Sequence, residues 1–339
     1  MVKRLRAARW TRLFARSLKA ITRGAARSGT RALKLGAQPK PAKRSAATGT
    51  GTWLTGIAVG AAGARRFRLY RPPGASEGIR LPLMVMLHGC GQDANTFAMS
   101  TRMNSVAARE RFCVLYPEQD RLANAQGCWN WFDTRSGRAQ GEAALIVNAI
   151  DQVCLLHPVD RERVAVAGLS AGASMAALLA TRHPERFKAV VLHSGVPPGT
   201  ADSTLSAVGA MHGRRSSKRP PAANSVATNS NWPPLLVIHG SADRVVSAAN
   251  GQATAQMWAD ASAALAGAPR RVQRGQRHAM TVTDFKRGCR TEATLVEVQA
   301  LGHAWSGGAA KQPFSDAQGP DASRMAWAFA ARQFAAVER

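Results

Sequence analysis

The stretch VAVAGLSAGASMAALLA, residues 164–180, constrains the fold more than any other part of this sequence. A strand-like run ends at Gly-Leu-Ser-Ala-Gly, and a helix-like run of small residues begins at once. In a nucleophile elbow, a serine on such a turn sits in a strained backbone with its hydroxyl above the sheet, and nearby glycines permit close packing. Ser170, between Gly168 and Gly172, fits this pattern. Ordinary glycine-rich turns between a strand and a helix can have the same residues. The surrounding sequence must therefore show whether Ser170 is catalytic.

Apolar, strand-like runs alternate with helical stretches along most of the chain. Continuous apolar runs such as 83–87 and 235–238 are typical of strands buried on both faces of a parallel sheet. The chain has 339 residues, of which 45% are hydrophobic, so it is long enough for one large domain. We therefore predict an α/β fold with a mostly parallel central sheet and helices on both faces, extending over residues 51–339.

The positive charge is concentrated at the N-terminus. The net charge is +26, and residues 1–44 contain fourteen Lys or Arg and no Asp or Glu. Basic residues recur at helical spacing from Arg9 to Arg23, opposite an apolar side that includes Trp10 and Phe14. Residues 1–50 are thus predicted to be a basic arm and linker, either an amphipathic helix that lies on an anionic membrane or granule surface, or a solvated, disordered arm.

The sequence also indicates where the protein is located. The first charges are not followed by the apolar run of a signal peptide, and no apolar stretch is long enough to span a membrane. We therefore expect a cytoplasmic protein or one associated with a granule or membrane surface, with an extracellular location as the alternative.

Residues 213–234 are rich in Ser, Asn, Pro and basic residues, which predicts a flexible insertion or a lid.

A serine needs a base to remove its proton and a carboxylate to orient that base. Among the eight histidines, His303 follows the last predicted strand in ALGHAWSGG and is C-terminal to the other required groups. Asp243 begins the loop after the buried strand in PLLVIHGSAD, although it could instead cap the following helix. The chain order Ser170, Asp243, His303 is the order found in α/β hydrolases.

Two backbone N–H groups are required to stabilise an oxyanion. Ala171 follows the candidate nucleophile and supplies one, and Cys90 in the His88-Gly89-Cys90-Gly91 loop supplies the other through its backbone. No CxxC, HExxH, P-loop or GxGxxG pattern occurs, so neither a metal nor a cofactor is expected.

Taken together, LHGCGQD, GCWNWF, AGLSAGASMAALLA, VIHGSADRVV and ALGHAWSGG resemble the poly(3-hydroxybutyrate) depolymerase family of esterases over roughly residues 53–335. The resemblance implies an α/β-hydrolase fold and a serine esterase that cleaves polyester or related ester bonds through an acyl-enzyme. It assigns Ser170 as nucleophile, Asp243 as acid, His303 as base, and Cys90 and Ala171 as the oxyanion hole.

Aromatic residues and cysteines complete the candidate site. Trp129, Trp131 and Trp305 are candidates for an apolar wall that holds the acyl chain. Core packing is the alternative, and it is the favoured role for one of Trp129 and Trp131. Cys90 and Cys128 are candidates for a disulfide, because both lie in loops expected near the site. Five cysteines leave at least one unpaired and are too few for a disulfide scaffold, so the redox compartment stays open.

Three functions remain open at this point. The first is hydrolysis of polyhydroxyalkanoate or its oligomers. The second is an esterase of the acetylxylan or feruloyl type, which would use the same three residues with a different acyl pocket. The third is a non-catalytic protein that binds an anionic surface or nucleic acid through residues 1–44. Nucleic acid is the less favoured partner, because no recognised nucleic-acid fold accompanies the arm. The oligomeric state is left open.

Overall fold

The computed structural model describes residues 50–76, 78–215 and 231–337. The chain divides into two units, Met1–Ser45 and Ala46–Arg339, and the description below concerns the second. The predicted amphipathic helix lies outside the described residues, as does most of the predicted insertion at 213–234. No helix in the described ranges is both long enough and apolar enough to cross a membrane.

Thirteen strands occur in the described part of the chain. They are β1 (Thr52–Gly60), β2 (Gly63–Arg71), β3 (Leu81–Leu87), β4 (Cys113–Pro117), β5 (Val159–Leu169), β6 (Ala189–His193), β7 (Leu235–Gly240), β8 (Leu265–Ala266), β9 (Arg270–Val272), β10 (Met280–Arg287), β11 (Arg290–Val298), β12 (Trp305–Ser306) and β13 (Ser315–Asp316). The α-helices are α1 (Ala94–Thr101), α2 (Met103–Glu110), α3 (Arg138–Leu156), α4 (Ala171–Arg182), α5 (Thr204–Met211), α6 (Ala249–Ser262) and α7 (Ala322–Val337), with a 3₁₀ turn at Pro184–Arg186.

The main sheet has the order β1-β2-β4-β3-β5-β6-β7-β11-β10-β8, with β9 also paired to β10. The six central strands from β4 to β11 run parallel, whereas β1, β2 and β10 are antiparallel to their neighbours. Strands β12 and β13 form a separate pair. The predicted α/β class and mostly parallel sheet are confirmed.

Both faces of the sheet are buried, which explains the continuous apolar runs. Along β3, Leu83 and Val85 point into one core, whereas Met84 and Met86 point into the other. Apolar residues of α3, α4, α5 and α6 line the first core, and those of α1, α2 and α7 line the second. Because successive side chains of a strand face opposite ways, a strand covered by helices on both sides needs apolar residues at nearly every position.

The topology brings the predicted site residues to one edge of the sheet. His88 follows β3, Ser170 follows β5, Asp243 lies three residues after β7, and His303 lies in the segment after β11. These strands are parallel, so their carboxyl ends meet at the same edge, which is where α/β sheets bind ligands.

Candidate active site

Ser170 occupies a strained turn between β5 and α4. Its backbone has φ 57° and ψ −120°, a combination that non-glycine residues rarely adopt. The Ser170 N–H donates to the carbonyl of His193 at 2.9 Å, which ties the turn to the neighbouring strand β6. Ala171 begins the helix directly afterwards. This geometry has the features of a nucleophile elbow.

Glycine is required on both sides of this turn. A Cβ on Gly168 would lie 2.3 Å from the carbonyl carbon of Gly172, and a Cβ on Gly172 would lie 2.1 Å from the carbonyl oxygen of Leu87. Both contacts are with backbone, which cannot move aside as a side chain can. The strand, the turn and the helix can therefore pack this closely only without those Cβ atoms.

Asp243 and His303 form a buried pair. Asp243 Oδ2 lies 2.7 Å from His303 Nδ1, and Asp243 Oδ1 accepts from the backbone N–H groups of Val245 and Val246 at 2.9 Å each. Burial alone would raise the pKa of the carboxyl group, but the hydrogen bond from His303 and the backbone donor outweigh it, so the pKa lies below its usual value. Asp243 does not cap the next helix, because α6 begins only at Ala249.

His193 connects the serine turn with the His303 segment. The His193 carbonyl accepts from Ser170, and its Nε2 accepts the backbone N–H of Ser306 at 3.1 Å. The imidazole also stacks on the ring of Trp305, with 5.1 Å between centroids. No hydrogen bond joins the Ser170 hydroxyl to His303 in the described structure. Such contacts often tighten only when substrate is bound.

Three other histidines near this edge are fully buried. Burial lowers the pKa of His88 to about 4 and that of His193 to about 3, and it also lowers the pKa of His239. The nearby charge of His303 adds to the effect on His193 and His239. These imidazoles are therefore neutral at pH 7 and act as fixed hydrogen-bonding groups.

This burial predicts a loss of stability in mild acid. Histidines in the unfolded chain titrate near pH 6.5. Between that pH and the native values of about 4 for His88 and about 3 for His193, the unfolded state binds more protons. The free energy of unfolding should fall by up to about 1.4 kcal/mol per pH unit for each histidine as the pH is lowered.

Urea unfolding followed at several pH values between 7 and about 4 measures this slope. Replacing His193 with glutamine removes one titrating group and should make the slope shallower. A free energy of unfolding that stays constant across this range would contradict the burial of neutral histidines.

The loop after β3 packs against the serine turn. The Gly89 carbonyl lies 2.8 Å from His88 Nδ1 and accepts the Gln92 N–H at 3.3 Å. Since the oxygen and the hydrogen of a trans peptide point in opposite directions, these bonds turn the Cys90 N–H away from His88. A Cβ on Gly89 would lie 3.6 Å from the Cβ of Ser170, so the loop packs against the turn.

Both predicted oxyanion donors are available. No described hydrogen bond uses the Cys90 N–H. Ala171 is the first residue of α4, and the first N–H groups of a helix have no acceptor within it. The positive end of the helix dipole adds to the attraction for a negative charge at this point.

The family model "Esterase PHB depolymerase" matches residues 65–278, which is more than half of the chain and includes Cys90, Ser170 and Asp243. The chain belongs to this esterase family. It is 34% identical over 184 residues to poly(3-hydroxyalkanoate) depolymerase C of Paucimonas lemoignei, covering 52% of this chain and 44% of that protein. It is 30% identical over 176 residues to feruloyl esterase B of Neurospora crassa, covering 48% of this chain and 59% of that protein. The matches thus span less than two thirds of either relative.

A structural likeness establishes the fold of this family member. The acetyl xylan esterase from Aspergillus awamori superposes with a TM-score of 0.61 at 18% identity, covering 75% of this chain and 94% of that one. At this identity the likeness concerns the fold alone. This member of the family therefore has the α/β-hydrolase fold that the resemblance implies.

A disulfide and a buried polar network support the Cys90 loop. Cys90 and Cys128 are bonded, as the sequence suggests, with 4.3 Å between their Cα atoms. Gln119 donates its N–H to His88 Nε2 at 3.1 Å and its side-chain amide to Glu142 at 2.7 Å. Because Gln119 donates to Nε2, the proton of neutral His88 resides on Nδ1, where it faces the Gly89 carbonyl.

Sequence reasoning missed the charged members of this network. Arg65 is buried beneath the loop, donates to Gln119 Oε1 at 2.5 Å, and lies over the ring of Trp129. Glu142, also buried, accepts the N–H of Asn130 at 2.9 Å. Burial lowers the pKa of Arg65, whereas the charge of Glu142 opposes that shift. No local motif signals these residues, because their partners lie far away along the chain.

The structure corrects the predicted aromatic wall for two of its three members. Trp129 and Trp305 have no exposed surface, and both are used inside the fold. The Trp129 indole donates to the His88 carbonyl at 3.1 Å, and the Trp305 indole donates to Ser323 Oγ at 3.0 Å. Neither ring is open to an acyl chain, because packing and a satisfied N–H hold each in the core. Trp131 keeps 8% of its surface exposed.

The remaining cysteines and acidic groups suggest no further chemistry. Cys113 and Cys154 are buried free thiols, and Cys289 is an exposed one. Burial raises the pKa of the Cys113 thiol to about 12. Within the described ranges, no group of three or more His, Cys, Asp or Glu side chains is arranged to hold a metal ion.

Proposed function

We propose that the protein is a serine esterase that hydrolyses polyhydroxyalkanoate or its oligomers through an acyl-enzyme. The single observation that carries the proposal is the 2.7 Å contact between Asp243 and His303 at the edge where Ser170 occupies its strained turn. Asp243 keeps the proton of neutral His303 on Nδ1, which leaves Nε2 free to act as a base. The likeness to the Paucimonas lemoignei depolymerase supports the choice of substrate.

The reaction follows from this arrangement. The Ser170 hydroxyl adds to the ester carbonyl while His303 takes its proton, and the N–H groups of Cys90 and Ala171 stabilise the oxyanion. Collapse of the tetrahedral intermediate breaks the ester bond, and His303 returns the proton to the leaving alcohol. Water then attacks the acyl-serine with His303 again as base, which releases the acid and restores Ser170. Trp131 is our remaining proposal for an apolar contact with the acyl chain.

A second candidate is an esterase of the feruloyl or acetylxylan type. The Neurospora crassa relative is named a feruloyl esterase, and it matches nearly as much of this chain as the depolymerase does. The same Ser170, Asp243 and His303 would serve, and only the acyl pocket would distinguish the two activities.

Comparing substrates tests the proposal. The purified full chain is incubated with amorphous polyhydroxybutyrate, hydroxybutyrate oligomers, acetylated xylan and feruloylated xylan, with Ser170→Ala as the control for each. We expect the highest kcat/KM on the polyester or its oligomers. A clear preference for either xylan ester would favour the second candidate. Turnover of a short p-nitrophenyl ester by Ser170→Ala at the unmodified rate would overturn both.

We also propose that residues 1–44 bind an anionic membrane or granule surface. Deleting them should leave kcat on a soluble short ester nearly unchanged, because no assigned catalytic residue lies there. The deletion should weaken binding to anionic vesicles, most strongly at low salt, because the Debye length falls from about 10 Å at 0.1 M to about 3 Å at 1 M. Co-sedimentation of the full-length and shortened chains measures this. Equal binding by both chains would show that residues 1–44 do not contribute to binding and would contradict this proposal.

A further inference from the structure

A second surface of the molecule combines exposed apolar side chains with arginines. A cavity of about 210 Å³ opens to solvent between the end of β2 and the end of α3. The residues that line it are Arg71, Arg80, Leu155, Leu156, His157 and Pro158. Together with the neighbouring Ile79, we call these residues the Leu155 patch.

The apolar part of the Leu155 patch is unusually exposed. Leu155 has 80% of its surface exposed, Leu156 has 63%, and Ile79 has 54%. Isolated exposed leucines are common, but Leu155 and Leu156 are adjacent and line the same cavity, so together they present apolar surface that gains by leaving water.

The charged side chains of the patch are the half-buried Arg71 and the exposed Arg80. Arg71 donates to the Ala75 carbonyl at 3.2 Å and Arg80 donates to the Val159 carbonyl at 3.1 Å, but within the described ranges neither is paired with a carboxylate. The nearby Asp151 and Asp160 are already in ion pairs with other arginines. Among the described residues, the patch is therefore positive as well as apolar.

We propose that the Leu155 patch docks the protein on an anionic phospholipid surface. Leucines that enter the acyl boundary while arginines contact lipid phosphates are the usual elements of interfacial binding. The basic segment 1–44 is a poor alternative occupant, because its fourteen positive charges repel Arg71 and Arg80.

Docking in this way fixes the orientation of the candidate active site. Strands β3 and β5 begin beside the patch, whereas His88 and Ser170 follow their carboxyl ends. The patch and the serine turn thus lie at opposite edges of the sheet. A molecule bound through the patch turns its catalytic edge towards the solution, so its ester substrate arrives from the aqueous side.

Paired variants of the full chain test the docking surface. Co-sedimentation is measured with phosphatidylcholine vesicles that do or do not contain phosphatidylserine. Leu155→Ser combined with Leu156→Ser should weaken binding to the anionic vesicles by about tenfold. Arg71→Gln should weaken it by about fivefold without changing the weak binding to neutral vesicles. Leu205→Ser combined with Leu265→Ser removes two similarly exposed leucines elsewhere and should have no effect.

Activity on a soluble short ester verifies that each variant is folded, because none of these residues belongs to the assigned machinery. Because residues 1–44 are present in every variant, the change in affinity is what is compared. An affinity for anionic vesicles that is unchanged by loss of both patch leucines would overturn the proposal, as would an equal loss in the control pair. A dimer that disappears in the leucine variant while vesicle binding persists would assign the patch to a second copy of the chain instead.

From an independent observation, we propose that His193 is a positioning residue for the proposed reaction. This second proposal rests on the proposed function. His193 is completely buried, and its ring and its carbonyl bind Ser306 and Ser170 respectively. Its Nδ1 lies 3.2 Å from Ser194 Oγ, which leaves Nε2 as the acceptor for Ser306. His193 thereby connects the serine turn, which binds its carbonyl, to the segment that carries His303, which binds its imidazole. The residue sets the distance between the two.

Two substitutions separate this role from simple packing. His193→Leu removes the acceptor and should lower kcat on a soluble ester by about tenfold or more, with KM little changed, because misplacement affects the transition state more than binding. His193→Gln retains an acceptor and should recover most of the activity. A leucine variant with unaltered kcat would refute the role, and so would equal losses in both variants. Failure of the proposed function would appear separately, as an active Ser170→Ala control.

Discussion

Replacing Ser170 with alanine is expected to lower kcat on a short p-nitrophenyl ester by about 10⁴-fold or more, and replacing His303 with alanine should have a similar effect. Each substitution removes one member of a unit in which the hydroxyl reacts only as its proton is taken. Once either is missing, the other has little left to contribute. The double variant should therefore be scarcely slower than either single one. Steady-state kinetics on the three purified proteins measures this.

Asp243→Asn extends the same experiment. The asparagine preserves the shape of the side chain but cannot keep the proton of His303 on Nδ1, so kcat should fall by a comparable or smaller factor. Losses that multiply in the Ser170 and His303 double variant would show that the two groups act separately. A fully active Asp243→Asn would require another acid for His303.

The second large effect is expected at Cys90. Cys90→Pro removes the backbone N–H assigned to the oxyanion and should lower kcat by at least about 10²-fold. The same change breaks the disulfide, so a matched control is needed. Cys128→Ser breaks that disulfide while leaving the Cys90 N–H in place. Comparing kcat and thermal unfolding for the two variants separates the donor from the crosslink.

Cys90→Ser completes the comparison, because it loses the thiol and the disulfide but keeps the N–H. It should resemble Cys128→Ser and retain substantial activity. A folded but inactive Cys90→Ser, next to an active Cys128→Ser, would mean that the sulfur atom itself takes part. Equal activity of Cys90→Pro and Cys128→Ser would remove Cys90 from the oxyanion hole.

The parts of the fold that were predictable are those with a local signature. The Gly168–Gly172 turn, the buried strands and the chain order of the candidate residues all follow from short stretches of sequence. Strand β10 has no such signature, because its half-exposed, mixed residues lack the continuous apolar run of a central strand. Edge strand β1 lacks one for a similar reason, since its glycines interrupt the expected alternation.

The supporting layer of the site could not be read from the sequence. Arg65 and Gln119 are 54 residues apart, and their contact exists only because β2 and the segment after β4 are brought together by the sheet. The prediction for the tryptophans failed for the opposite reason, because a local pattern was present but did not determine their role. A cluster of aromatic residues beside a candidate site is compatible with a ligand wall and with a core, and only the tertiary arrangement assigns Trp129 and Trp305 to the core.

The position of His303 also orders events during synthesis of the chain. During translation, Ser170 and its turn emerge from the ribosome well before the segment that carries His303. The Trp305 indole, two residues after that histidine, donates to Ser323 at the start of α7. A nascent chain interrupted between α6 and β11 would contain the complete serine turn and Asp243 but not His303. Because chains fold from the N-terminus as they emerge, hydrolytic competence should arise only when the last helix docks. Esterase activity would thus report completed synthesis of the domain.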